Sequence, residues 1–334
     1  MRLHSRRQIL QGSLALAGFS LLSGCEGPGQ QAAKVRRIGF LGTGTREGRA
    51  FMVEGLLQGL REHGYVVGQN IAIEYRFSED RDDRLPGLAA ELVNLKVELI
   101  IASGAPASFA AKQATSTIPI VMGALAADPV ETGLVASLAR PGGNITGMSN
   151  MTSQLGGKRL ELLKEIVPGL ARVAVFWNPS NPTYGPVLKM LEAAAPALGV
   201  KLQRLEVRVP GDFEGAFTAA TRQRAGALYA PGDPLVVNRP KLIADLALKH
   251  RLPTMMDTKE FVVAGGLLSL GPDLGDSYRR AATHVDKILK GTNPAELPME
   301  QPTKFDLVVN PKTARALGLS IPQSVLLQAT QVIE

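Results

Sequence analysis

From Arg36 onward, short β-rich runs alternate with helical patterns, and this alternation restricts the fold more than any other feature. Arg36-Arg37-Ile38-Gly39-Phe40-Leu41 reads as a strand. Gly48 to His63 then sets Phe51, Leu56, Leu57 and Leu60 on one helical face and stops at Gly64, a suitable C-terminal cap. Ile71 to Phe77 alternates, Arg84 to Leu95 is helical, and Val97 to Ile101 is a buried strand. Pro106 to Ala114 is a helix with proline at an allowed first-turn position, and Ile118 to Met122 is strand-like. Strands separated by helices of this length require crossover connections. The pattern therefore predicts an α/β fold with parallel sheets and right-handed crossovers.

The same order begins again about 135 residues on, with Arg172 standing where Arg37 stood. Arg172 to Trp177 is a strand, Thr183 to Leu198 a helix, Val200 to Val207 a strand, Phe213 to Arg224 a helix and Gly226 to Ala230 a strand. Internal duplication and the general likeness of doubly wound domains both account for this. Either way two parallel-sheet domains follow, and about 300 residues suffice for two cores.

The N-terminus has a different character. Ser5-Arg6-Arg7-Gln8-Ile9-Leu10 opens a short apolar run that closes at Leu22-Ser23-Gly24-Cys25. A charged start, an apolar middle and small residues at the end form an export signal, too short and glycine-broken for a spanning helix. The last four residues match the lipobox of bacterial lipoproteins, where the cysteine thiol carries a diacylglycerol. Arg6-Arg7 also resembles a twin-arginine signal. Residues 1–24 are thus expected to be removed, Cys25 to be lipidated, and the Gly-, Pro- and Gln-rich residues 25–34 to act as a flexible tether. The expected location is the periplasm or the outer face of the cytoplasmic membrane. Losing Arg2, Arg6 and Arg7 lowers the net charge from +7 to +4, with no dense basic run afterwards, so nucleic acid is not a partner. Cys25 is the single cysteine, which leaves no thiol for a disulfide.

In open α/β sheets, ligands bind beyond the carboxyl ends of strands, where loops feed helix N-termini. Gly42-Thr43-Gly44-Thr45-Arg46-Glu47-Gly48 fails the dinucleotide spacing, because its third glycine falls one position late. The remaining loops carry Ser103, Ala105 and Pro106, then Asp128, and in the second half Asn178, Ser180, Asn181, Tyr184 and Asp233. Hydroxyls and free N–H groups at helix starts suit a carboxylate, while Asp128 and Asp233 suit an ammonium group. Capping alone explains any one of these residues. Together they point to an amino-acid-like ligand, with Asp128-Pro129 expected to open a helix. His4, His63, His250 and His284 show no metal spacing, and neither a hydrolase elbow nor a phosphate loop is present. Neither an enzyme nor a cofactor is expected.

The chain resembles the substrate-binding proteins of a bacterial ABC-transporter family whose relatives capture aromatic amino acids such as tryptophan. Gly64 to Asn70, Ala111 to Val121, Leu138 to Gly147, Gly157 to Lys164 and Gln301 to Phe305 carry the resemblance, which spans about residues 35–334. It implies the type I periplasmic binding protein fold: two doubly wound parallel-sheet lobes joined by three crossing strands. The crossings would be 144–150, 265–271 and 305–310. One lobe would then be 35–147 with 272–306, and the other 148–271 with 307–334. Ser103, Ala105 and Pro106 would face Asn178, Ser180, Asn181 and Asp233, with Tyr184 best placed to meet an aromatic side chain. The implied function is an extracytoplasmic receptor, tethered to the membrane by its lipid, that delivers a small amino-acid-like solute to a permease and its ATPase. A lipid-anchored sensor acting on a membrane receptor is compatible with the same fold.

Overall fold

The computed structural model describes residues 35–150 and 152–333; the expected export segment, Cys25 and the tether lie outside the described residues. The chain starts with β1 (Arg36–Gly42), α1 (Ala50–Glu62), β2 (Ile71–Phe77), α2 (Leu85–Asn94), β3 (Ile100–Ser103), α3 (Ala105–Ala114), β4 (Ile120–Ala124) and β5 (Ile145–Gly147). These strands form one parallel sheet in the order β2-β1-β3-β4-β5. Along β1 the side chains alternate. Ile38 and Phe40 enter a core with α1 residues such as Leu56, whereas Leu41 joins α2 and α3 residues on the other face. Both faces of the sheet are therefore covered, as a parallel sheet requires.

A second series follows: α4 (Gly156–Ile166), β6 (Arg172–Trp177), α5 (Tyr184–Ala194), β7 (Lys201–Glu206), α6 (Asp212–Arg222), β8 (Ala227–Ala230), α7 (Pro234–Val237) and α8 (Pro240–Lys249). It continues with β9 (Thr254–Met256), α9 (Lys259–Val263) and β10 (Leu268–Gly271). Here Val173 and Val175 pack with α4 and α5, and Ala174 and Phe176 with α6 and α8. The last elements are α10 (Leu274–Leu289), β11 (Asp306–Val309), α11 (Pro311–Ala316), α12 (Gln323–Gln328) and β12 (Gln331–Val332). The second sheet runs β12-β11-β10-β9-β8-β6-β7. β10 and β11 are antiparallel, so this sheet is mixed, with β11 and β12 added at one edge.

After β10 the chain leaves the second sheet, and α10 packs against α1 in the first lobe. The two helices meet at glycines: a Cβ on Gly55 would lie 2.2 Å from the Gly275 carbonyl oxygen, and one on Gly59 2.1 Å from that of Arg279. Tyr278, Ala281, Ala282 and Val285 of α10 are then wholly buried in the first lobe's core.

Boundaries differ from the sequence reading where tertiary pairing overrides local pattern. β3 begins at Ile100, not Val97, because Gly39 fixes its register and Lys96 turns the chain with φ 53°. The expected helix at Asp128-Pro129 does not form. The Asp128 carboxylate accepts from the Val130 N–H at 2.7 Å, closing a turn instead. The helix expected over Thr183 to Leu198 stops at Ala194.

Gly55→Ala should push α10 away from α1 and lower stability by about 1–3 kcal/mol, the usual range for overpacking. Gly87 in α2 has open space around its Cβ position, so Gly87→Ala is expected to be neutral or stabilising. Chemical denaturation of both variants checks the contrast, and equal effects would contradict it.

Candidate functional site

The two sheets turn their carboxyl ends toward one cleft, which leaves about 60 Å³ of space for a solvent molecule to move in. Its first-lobe wall carries Arg49, Met52, Gly104, Ala105 and Tyr278. On the second-lobe wall are Asn181, Thr183, Gly232, Asp257 and Thr258, and an adjoining recess adds Tyr184, Val187, Tyr229 and Asp233.

Arg49 stands at the N-terminal boundary of α1 and is 4% exposed. A cation there opposes the helix dipole, so the position is unfavourable on local grounds. Its Nε donates to the Thr43 carbonyl at 3.2 Å, one Nη to Thr43 Oγ1 and the other to Met52 Sδ at 3.2 Å. Among the described residues no carboxylate pairs with it. Burial lowers its pKa, opposed by Tyr278 and by the carboxylates of Asp82 and Asp233.

Asp233 faces it from the other lobe and is 2% exposed. It caps α7 by accepting from the Leu235 N–H at 2.8 Å, and also accepts from Asn181 Nδ2 at 2.7 Å and Asn178 Nδ2 at 3.4 Å. Among the described residues no cation pairs with it. Burial raises its pKa, against the lowering effect of these hydrogen bonds. Beside it, Tyr184 Oη is buried without a hydrogen-bond partner among the described residues, and burial holds its pKa well above the usual tyrosine range.

Asp257 is held from behind. Its carboxylate accepts from Tyr229 Oη at 2.8 Å and the Gly232 N–H at 2.9 Å, with Arg159 Nε 3.2 Å away. Arg159, wholly buried, also donates to the Leu270 carbonyl of β10 at 2.9 and 2.7 Å and to Tyr229 Oη at 2.9 Å.

Of the residues singled out from sequence, Ala105, Asn181, Tyr184 and Asp233 line the cleft or its recess. Asn178 is one step back, against Asp233. Ser103 is buried and accepts from Tyr278 Oη at 2.5 Å, which positions that ring. Pro106, Asp128 and the exposed Ser180 are not among the lining residues. The sequence reading missed Arg49, Asn150, Asp257, Thr258 and Tyr278. The misplaced cation at a helix start was the available signal for Arg49.

Two such lobes, joined by crossings and meeting over one cleft, make the type I periplasmic binding protein fold. Residues 45–333 match the family described as ABC transporter substrate binding protein, and the chain belongs to that family. It is a binding protein rather than an enzyme. A curated relative, the tyrosine-binding protein of Clostridioides difficile strain R20291, is 27% identical over 312 residues, covering 90% of this chain and 89% of the relative. Two solved structures are also similar. A conserved domain protein from Vibrio cholerae is 28% identical with a TM-score of 0.84, covering 90% of this chain and all of that one. An ABC domain in complex with L-Trp from Streptococcus pneumonia is 26% identical with a TM-score of 0.82 and the same coverage.

The raised pKa of Asp233 fixes the sign of a pH effect. A carboxyl group raised on folding contributes stability that is fully present below its unfolded value near 3.8 and is lost as pH rises through the folded value. Asn caps a helix as well as Asp does. Ligand-free Asp233→Asn should therefore match or exceed the wild type at neutral pH, and the advantage should vanish in acid. Denaturation curves across pH check this, and a less stable Asn variant at neutral pH would contradict it.

Proposed function

We propose that this protein is the extracytoplasmic receptor of an ABC importer and that its cleft closes on a zwitterionic amino acid. One observation carries the reading. A buried guanidinium on one lobe and a buried carboxylate on the other face the same cleft, and neither has an ionic partner among the described residues. An α-amino acid supplies both missing charges: its carboxylate accepts from Arg49, and its ammonium donates to Asp233. Hydrogen bonds to charged groups are the stronger kind, at about 1.5–3 kcal/mol each. Asp257, already neutralised by Arg159, adds a second acceptor near the ammonium end.

Met52, Ala105, Ala124, Val237, Leu274 and the Tyr278 ring give the larger half of the cleft an apolar lining for a side chain. Tyrosine and tryptophan in the names of the relatives favour an aromatic one. The lobes on this reading are residues 35–147 with 272–306 and 148–271 with 307–334. Lipidation at Cys25 and a tether over 25–34 would hold the receptor at the membrane, where the closed form presents both lobes to a permease. Among the described residues no helix is long and apolar enough to cross a membrane.

Titration calorimetry with tyrosine, tryptophan, phenylalanine and leucine tests the proposal. Micromolar or tighter binding of an aromatic amino acid is expected, and a ligand at 100 times its Kd should add about 2.7 kcal/mol of stability. Arg49→Met should weaken binding about 10- to 100-fold while leaving the ligand-free fold intact. Binding to none of the four amino acids would overturn the substrate class.

A further inference from the structure

The lobes also touch at the C-terminal end of α7, from Val237 at the edge of the cleft to Asn238 and Arg239 beyond its lining. Val237 is 5% exposed and packs into the first lobe's core cluster with Met52 and Tyr278. Asn238 follows and presses on the loop after β1. A Cβ on Gly44 would lie 1.9 Å from Asn238 Nδ2, and one on Gly48 3.1 Å from Asn238 Cβ. At Gly44, where φ is 71°, the backbone conformation also favours glycine. Next, Arg239 forms an ion pair with Asp80 in the loop after β2, with side chains 15% and 26% exposed. That loop is itself strained, since Glu79 and Asp80 both take positive φ, at 52° and 61°. Serine and backbone bonds knit it to the glycine loop: the Gly44 N–H donates to Ser78 Oγ at 3.0 Å, and the Glu79 N–H to the Gly44 carbonyl at 2.9 Å.

The contact contains opposing terms. The Arg239–Asp80 pair favours the closed arrangement. By contrast, both polar atoms of the Asn238 amide are buried without a partner among the described residues. An amide that is hydrated when the lobes separate and unpaired when they meet disfavours closure. Neither Asn238, Arg239 nor Asp80 lines the solute cleft.

We propose that Asn238 and Arg239 form a latch that sets how far the closed arrangement is populated before any solute binds. The inference rests on the two-lobe capture reading and extends it from contacts with solute to the closing equilibrium. The closed fraction scales every solute's apparent Kd by one common factor. Latch variants should therefore shift all affinities together and leave selectivity unchanged.

The test combines calorimetry with tyrosine and tryptophan and X-ray scattering of the ligand-free protein. Arg239→Gln and Asp80→Asn, the latter keeping a residue that tolerates positive φ, should each weaken both solutes by the same factor, about fivefold. The double variant should be no weaker than either single one, because the two changes break one contact. Asn238→Ala should tighten both solutes by a common factor of about five or more. Ligand-free Asn238→Ala should show a smaller radius of gyration than the wild type. Effects that differ between the two solutes, that add in the double variant, or that are absent would overturn the latch. If the wild type binds neither solute, the amino-acid reading falls. Scattering then decides the latch alone, and an unchanged radius in Asn238→Ala overturns it.

Discussion

An ionised group taken out of water without an opposite charge costs several kcal/mol, and removing one partner of a buried pair exposes that cost directly. Arg49 and Asp233 carry such a cost on facing walls of one cleft. Each is hydrogen-bonded by neutral groups, Arg49 by Thr43 and Asp233 by two asparagines and a backbone amide, so each is held in place without being neutralised. The arrangement is stable enough to fold and incomplete enough to favour a dipolar guest. Pairing the two charges with each other would stabilise the empty form and compete with any solute.

The rest of the molecule holds those two groups at the right separation. α10 returns from the second crossing to seal the first lobe through the glycine contacts with α1, bringing Tyr278 to the cleft wall. On the other side, Arg159 links the Leu270 carbonyl at the end of β10 to Tyr229 and Asp257. The strand that leads out of the second lobe and a carboxylate on the cleft wall are thus fastened to one buried guanidinium. A solute drawing on Asp257 therefore acts on a group tied to the crossing, which gives binding and closure a shared physical connection.

Much of the architecture was legible in the sequence because burial of parallel strands on both faces leaves continuous apolar runs, as at Leu99 to Ala102, separated by periodic helices. The return of α10 to the first lobe was inferred from resemblance, since sequence distance says nothing about such a contact. Strand order at the second sheet's edge was less visible: β12 has only two residues, and β11 runs antiparallel to its neighbour. In the site, polar residues directly after strands were readable, which is why Asn181 and Asp233 were found. Arg49 escaped because it lies seven residues past the end of β1, inside a stretch that reads as the solvated start of a helix. Asp257 and Thr258 escaped because β9 has three residues after Pro253, too few to show a period. Tyr278 reaches the cleft only through the tertiary return of its helix.

The central claim is that the cleft reads both charges of an amino acid, one from each lobe. Competition calorimetry with an aromatic amino acid, its N-acetyl derivative and its carboxamide measures this directly. On the proposed reading, the N-acetyl derivative lacks the ammonium that would donate to Asp233, and the carboxamide lacks the carboxylate that would accept from Arg49. Each should lose about 10-fold or more in affinity, with the loss for the carboxamide shrinking in Arg49→Met and that for the N-acetyl derivative shrinking in Asp233→Asn. Binding of either derivative as tightly as the free amino acid would contradict the account.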